Sequence, residues 1–80
     1  MKSITEQTLA DDVCSVFSRV LGLKPTDIDD EQSFFERGGT SLTAAQAIAL
    51  LQRDVSSAIT VECFFTGPSI SQLVRGILTE

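Results

Sequence analysis

The sequence predicts a small all-α domain, a four-helix bundle of three main helices and one short helix with a long first loop. Three observations support this. Apolar residues recur at helical spacing, four segments have helical character, and no segment shows the alternation of a strand. A chain of 80 residues makes one domain, and its 42% of hydrophobic residues are enough for one small core. We therefore expect residues 1–80 to form a single domain.

The first helix is predicted over residues 4–21. Ser3 and Glu6 have the spacing of an N-terminal capping box, and Gly22 stands where a left-handed residue would end the helix. Apolar residues at steps of three and four predict one buried face, formed by Leu9, Val13, Val16, Phe17 and Val20.

A long connection follows over residues 23–39. Connections of this length are uncommon unless they are functional or disordered. Ile28, Phe34 and Phe35 argue against disorder, because such side chains can anchor the loop to a core. A single helical turn is predicted near 25–28, where a proline suits the first position. The acidic residues of this loop are most simply explained as a solvated stretch: Asp27, Asp29, Asp30 and Glu31.

The second helix is predicted from Thr40 or Ser41 to Gln52, where four alanines raise the helix propensity. Small residues over much of its surface permit close packing by a neighbouring helix or by a partner. The sequence does not decide which face turns inward. One predicted face combines Leu42, Ala45, Ile48 and Ala49.

Two shorter helices complete the prediction. Thr60 is expected to cap a turn over residues 61–65, and Gly67 with Pro68 then breaks the chain. Ser69 and Gln72 again have capping-box spacing. The last helix carries the i, i+3, i+4, i+7, i+8 pattern of a buried face in Ile70, Leu73, Val74, Ile77 and Leu78.

The composition argues against catalysis and against a metal site. The chain has no histidine, so no Ser-His-Asp or Cys-His system can form. Lys2 and Lys24 stand in contexts that should leave them solvated. Cys14 and Cys63 cannot by themselves build a zinc site, which needs four ligands. We expect both cysteines to be small buried thiols in a reducing compartment.

The net charge and the length of the apolar runs also argue against nucleic-acid and membrane partners. A net charge of −5 argues against nucleic-acid binding, which needs a basic face. No apolar run approaches the ~18–20 residues that cross a bilayer, and the first residues do not resemble a signal peptide. We therefore expect a cytoplasmic monomer with no membrane contact. Its acidity indicates either partners with basic surfaces or simply solubility.

The segment Gly38-Gly39-Thr40-Ser41 is the most informative part of the chain. It places the hydroxyl of Ser41 at the start of a helix, where unpaired amides and the peptide dipoles favour a negative group such as a phosphate. Ser41 is therefore predicted to be modified and not catalytic. Gly38 and Gly39 are expected to serve loop conformation or close approach, and Gly39→Val to slow modification while changing stability much less.

These motifs together resemble the acyl and peptidyl carrier family. The resemblance includes residues 21–23 at the end of the first helix, Phe34-Phe35 before the glycines, residues 38–42, and Phe64-Phe65 followed by residues 68–70. It implies an acyl-carrier-like fold with 4′-phosphopantetheine joined to Ser41 through a phosphodiester. The thiol of that arm would then carry an aminoacyl, peptidyl or acyl group as a thioester.

The double glycine resembles the peptidyl carriers, or thiolation domains, of nonribosomal peptide synthetases. Fatty-acid and polyketide carriers usually have Asp before the serine, where this chain has Thr40. Thr40 puts an acidic contact to the transferase in doubt, and it can instead cap the second helix. The resemblance implies as partners a phosphopantetheinyl transferase and adenylation, condensation, thioesterase or related domains. Leu42 is either a partner contact or a core residue.

Two alternatives share part of this pattern. A fatty-acid or polyketide carrier would have the same fold and arm and would differ in cargo. An unmodified helical docking module would explain the size and the acidity, but not the placement of Gly38-Gly39-Thr40-Ser41. The cargo and pathway are not encoded in any motif of the chain.

Overall fold

The computed structural model describes residues 6–78, with side chains from residue 8 onward. Within this part of the chain all regular structure is helical, which confirms the predicted all-α class. Two 3₁₀ turns, Pro25–Asp27 and Phe35–Arg37, lie in the long first loop. The four helices are α1 (Glu6–Leu21), α2 (Ser41–Asp54), α3 (Val61–Thr66) and α4 (Ile70–Leu78).

Helix α1 ends as its sequence predicts. Gly22 adopts a left-handed φ of 71°, and the amides of Gly22 and Leu23 both donate to the Ser18 carbonyl, at 2.9 and 3.1 Å. The predicted capping pair Ser3 and Glu6 lies outside the described side chains. The predicted inward face is confirmed, since Val20 is half-buried and the other four members are buried: Leu9, Val13, Val16 and Phe17.

The helices pack around an aromatic centre. Helix α1 packs against α2 and α4, and the short α3 contacts both α2 and α4. The ring centroids of Phe17 and Phe34 lie 5.0 Å apart, and those of Phe34 and Phe64 lie 5.2 Å apart, both in edge-on geometry. Such pairs contribute about 0.5–1.5 kcal/mol beyond the area they bury. The long loop thus supplies the middle ring of the core.

The first loop is ordered and fastened to the start of α4. The Phe34 amide donates to the Pro68 carbonyl at 2.8 Å, and the Ser71 amide donates to the Asp30 carbonyl at 3.0 Å. Ile28 is half-buried and Phe34 is completely buried. The predicted helical turn is present as the first 3₁₀ turn, and the anchoring role predicted for the apolar loop residues is confirmed.

The structure decides which face of α2 turns inward, a choice that the sequence left open. Leu42, Ala45 and Ala49 face outward, and only Ile48 of that group is buried. The residues that enter the core are Ala44, Ala47, Ile48 and Leu51. Both groups have helical spacing, and in an alanine-rich helix the spacing alone does not choose between them. The helix also continues two residues beyond the predicted end, to Asp54.

Helices α3 and α4 start as predicted. The Cys63 amide donates to the Thr60 hydroxyl at 3.0 Å, which caps α3. The Gln72 amide donates to the Ser69 hydroxyl at 3.2 Å, while the Ser69 hydroxyl itself donates to the Gln72 side-chain oxygen at 2.8 Å. The predicted face of α4 is confirmed for Ile70, Leu73 and Val74, whereas Ile77 is half-buried and Leu78 is exposed.

The cysteines are free thiols packed against the core, as predicted, but they are half-buried and not buried. Cys14 lies at the edge of the core, where its thiol donates to the Pro25 carbonyl at 3.6 Å. Burial, and then the charges of Asp30 and Asp11, raise the pKa of the Cys14 thiol. None of the helices within residues 6–78 has the length and apolar character needed to span a membrane.

Candidate modification site at the start of helix α2

Thr40 caps α2, as the sequence suggested. The Thr43 amide donates to the Thr40 hydroxyl at 3.2 Å, and the Thr40 amide donates to the Thr43 hydroxyl at 2.8 Å. This reciprocal capping box fixes the chain direction at the helix start. Ser41 is the first helical residue, and its side chain is exposed. The cap therefore does not use the Ser41 hydroxyl.

Gly38 is required by its backbone conformation. Its φ is 97°, a region that other L-residues rarely adopt, and it ends the second 3₁₀ turn with its amide donating to the Phe35 carbonyl at 3.3 Å. A Cβ built at Gly38 meets no atom within 4 Å. The reason for glycine here is thus the turn and not crowding.

Gly39 is required for a different reason. A Cβ at this position would overlap the Phe34 ring and would lie 2.8 Å from the Phe34 carbonyl oxygen. The close approach that Gly39 permits is therefore made by the protein's own core. A valine at 39 must disturb that core, so Gly39→Val is expected to lower stability as well as to slow modification, against the prediction that stability would change much less. In the sequence, the sign of this contact was that Phe34 stands shortly before the glycine pair.

An apolar groove begins at Ser41 and runs between α2 and α3. Its volume is about 220 Å³. Sequence reasoning missed the contribution of α3, because no local pattern brings residues 61 and 65 beside α2. The groove is lined by Ser41, Ala45, Ile48, Ala49, Gln52, Val61 and Phe65.

Exposed apolar side chains extend this groove around Ser41. Leu42 is 71% exposed, which excludes the alternative that it is a core residue. Phe65 is 48% exposed and stacks on Phe35 of the loop, with ring centroids 5.5 Å apart and an angle of 24° between the rings. Exposed apolar side chains in and beside a groove are typical of interaction sites on small proteins.

The acidic loop is exposed, but it is not only a solvated stretch. The Asp29 carboxylate accepts the Glu31 amide at 2.8 Å, and the Glu36 carboxylate accepts the Ser33 amide at 3.0 Å. These two carboxylates therefore stabilise the backbone turns of the loop.

The second 3₁₀ turn is tied to the first by an arginine. The guanidinium of Arg37 donates to the Asp27 carbonyl at 2.8 Å. This bond joins the two 3₁₀ turns and so restrains the part of the loop that precedes Gly38.

The model of one protein family matches residues 11–77, and its description is "Phosphopantetheine attachment site". The match covers most of the chain and includes the whole site. This chain belongs to that family. Members of the family carry 4′-phosphopantetheine on a serine, so the chain is a carrier domain that takes this cofactor.

Named relatives are similar over most of this chain. Surfactin synthase subunit 2 of Bacillus subtilis (strain 168) is 31% identical over 68 residues, which is 85% of the chain. Tyrocidine synthase 3 of Brevibacillus parabrevis and a dimodular nonribosomal peptide synthase of Bacillus subtilis (strain 168) are each 36% identical over 61 residues, or 76% of the chain. The chain spans only 1 to 2% of the length of these relatives.

Proposed function

We propose that Ser41 is the attachment point of 4′-phosphopantetheine and that residues 1–80 form a single peptidyl carrier domain of the nonribosomal type. The observation that carries this proposal is which hydroxyl groups form the cap at the start of α2 and which one does not. Thr40 and Thr43 supply the cap, so the neighbouring exposed hydroxyl of Ser41 is left for modification. The non-catalytic role follows from the composition, since no imidazole is present to act as a base.

The residues around Ser41 fit the cofactor. The cap uses one amide of the first turn of α2, that of Thr43. The helix start favours the single negative charge of a phosphodiester. The groove that begins at Ser41 offers apolar surface to an arm attached there. When bound, the arm supplies the thiol on which an aminoacyl, peptidyl or acyl group is held as a thioester.

The attachment step assigns a clear part to Ser41. Its Oγ forms a bond to the phosphorus that bears pantetheine in coenzyme A, the pyrophosphate bond breaks, and adenosine 3′,5′-bisphosphate leaves. The hydroxyl proton passes to a base on the transferase, because this chain has no histidine to accept it. Gly38 and Gly39 shape the loop, and Leu42 with Phe65 offers the transferase an apolar contact.

The nonribosomal type is supported by the names of the relatives, which include a dimodular nonribosomal peptide synthase. It is also supported by the identity of residue 40, since fatty-acid and polyketide carriers usually have Asp before the serine and this chain has Thr40. The proposed partners are therefore a phosphopantetheinyl transferase and the adenylation, condensation and thioesterase domains of a synthetase. A fatty-acid or polyketide carrier is the alternative that shares the same site.

The first experiment measures intact mass after incubation with coenzyme A and a broad-specificity phosphopantetheinyl transferase. We expect the mass of one phosphopantetheine to be added, and none in Ser41→Ala. Ser15→Ala and Ser57→Ala are matched controls, because both serines are exposed and neither follows a glycine pair. Modification that persists in Ser41→Ala would overturn the site, and a wild-type protein that gains no mass would favour the docking module.

A second experiment separates the two kinds of carrier. The modified protein is offered amino acids with a panel of adenylation domains, and acyl groups with acyltransferases, and thioester formation is read by mass. Loading by adenylation domains supports the peptidyl type. Loading by acyltransferases alone would transfer the assignment to the fatty-acid or polyketide type and would leave Ser41 unchanged as the site.

A further inference from the structure

We infer that Phe34 is a positioning residue for Ser41, acting through its contact with Gly39. The inference rests on the proposed attachment at Ser41 and gives a role in modification to Phe34, a buried residue that precedes the glycine pair. In this inference the aromatic core sets the position of the Ser41 hydroxyl through the ring of Phe34. Three links carry the argument, from the core to Phe34, from Phe34 to Gly39, and from Gly39 to Ser41.

Phe34 is held on all sides. Its side chain is completely buried, and its ring meets those of Phe17 and Phe64 at centroid distances of 5.0 and 5.2 Å. Its amide donates to the Pro68 carbonyl at 2.8 Å. Close-packed interiors transmit a displacement instead of absorbing it. A change in this ring is therefore felt by whatever rests on it.

Gly39 rests on Phe34. The Phe34 carbonyl accepts the Gly39 amide at 3.2 Å and the Arg37 amide at 3.3 Å, which closes the turn. The ring lies so close to the Gly39 backbone that an added Cβ would overlap it. Gly39 has no left-handed φ, so this contact and not its own torsion angle explains the absence of a side chain.

One residue separates Gly39 from Ser41. That residue is Thr40, whose carbonyl accepts the Ala44 amide at 2.8 Å and whose hydroxyl completes the cap. A shift of Gly39 is thus passed to the cap and the first turn of α2. A displacement of about 1 Å at a reacting group can cost on the order of 100-fold in rate. Leu42 and Phe65 remain to bind a partner, so the effect should fall on kcat more than on KM.

The test compares Phe34→Leu with Phe17→Leu. Both remove a ring from the same core, and the two side chains are 0% and 1% exposed. We expect the two variants to lose similar stability. With both folded, Phe34→Leu should lower the kcat of phosphopantetheinylation about tenfold or more. Phe17→Leu should lower it clearly less, because Phe17 reaches Gly39 only through the Phe34 ring. In the unmodified proteins, the amide chemical shift of Thr43, which reports on its hydrogen bond to the Thr40 hydroxyl, should change more in Phe34→Leu.

A compensating pair gives an independent measurement. Gly39→Ala should slow modification, and combining it with Phe34→Leu should recover part of the rate, because leucine has no ε atoms and its δ carbons can turn away. The recovery stays partial, since the Phe34 carbonyl oxygen still lies 2.8 Å from the added Cβ. Gly38→Ala combined with Phe34→Leu is the matched control, and its losses should simply add, since a Cβ at Gly38 meets nothing.

Each outcome has a distinct meaning. Equal kcat and equal shifts for the two leucine variants, or additive losses in the Gly39→Ala pair, would overturn the positioning role while leaving Ser41 as the site. Failure of the wild-type protein to be modified at Ser41 would instead overturn the proposed function. The chemical-shift comparison still reports on the Phe34–Gly39 link in that case, because it needs no transferase.

Discussion

The two ends of α2 have opposite characters. Its N-terminal end carries the Ser41 hydroxyl and the exposed side chain of Leu42, and an apolar groove runs from Ser41 along one side of the helix as far as Gln52. Its C-terminal end carries Arg53 and Asp54, whose side chains form an exposed ion pair at 2.9 Å. A second groove of about 190 Å³ opens at this end, and it is polar, with a lining that includes Asp12, Ser15, Arg19 and Asp54.

This difference indicates that the two ends of α2 have different roles, one within the chain and one towards partners. At the C-terminal end the charges find partners within the chain, and the hydrogen bond from Arg53 lowers the pKa of Asp54. At the N-terminal end the cap is complete without Ser41, and apolar surface is left uncovered. We therefore expect partners to contact the N-terminal end, and substitutions at the C-terminal end to leave modification unchanged.

The largest effect should come from removing an apolar contact beside Ser41. Leu42→Ala is expected to lower kcat/KM for phosphopantetheinylation about tenfold, because covering an exposed leucine side chain with a partner is worth about 1.5 kcal/mol. Stability should hardly change, since Leu42 is 71% exposed and alanine favours the helix. Leu78→Ala, at a leucine that is 47% exposed outside the groove, is the control. Equal rates for the two variants would remove Leu42 from the interface.

A smaller effect, on stability, should separate the capping box at the start of α2 from the ion pair at its end. Thr40→Ala is expected to lower the free energy of unfolding by about 1 kcal/mol, because the Thr43 amide loses its acceptor. Arg53→Ala removes only an exposed ion pair and should cost less than about 0.5 kcal/mol. Urea unfolding measures both. A larger loss for Arg53→Ala would show that the charged end, and not the cap, stabilises the helix.

The smallest effect should come from the acidic loop. Asp29→Asn with Asp30→Asn is expected to slow modification about threefold at low salt and hardly at all at high salt, since steering acts on the on-rate and is screened. Asparagine at 29 keeps an oxygen to accept the Glu31 amide. Asp12→Asn with Asp54→Asn makes the same charge change at the polar groove and should have no such salt dependence. Parallel curves for the two pairs would mean that the loop acids do not guide the partner.

Much of the local structure followed from short-range rules. A helix end needs a residue that tolerates a left-handed φ, and Gly22 supplied it. A helix start needs a hydroxyl three residues before a free amide, and Thr40, Thr60 and Ser69 supplied it. Each rule involves residues within one helical turn, so the sequence alone was enough to predict the elements and to place Ser41 at a helix start.

The remaining features depend on residues far apart in the chain. Which stripe of α2 turns inward depends on the side chains that α1 presents to it, because both stripes are apolar and equally spaced. The groove at Ser41 exists only because α3 packs beside α2.

The sequence by itself determined four helices, the caps at the starts of α2, α3 and α4, and an exposed serine at the start of the second helix, because hydrogen-bond needs at helix ends are met locally. Only the tertiary structure decided that Gly39 is required by the Phe34 ring while Gly38 is required by its own backbone angle. The physical reason is that the two glycines satisfy different constraints. A torsion preference belongs to one residue, whereas a steric contact exists only after the core has been packed.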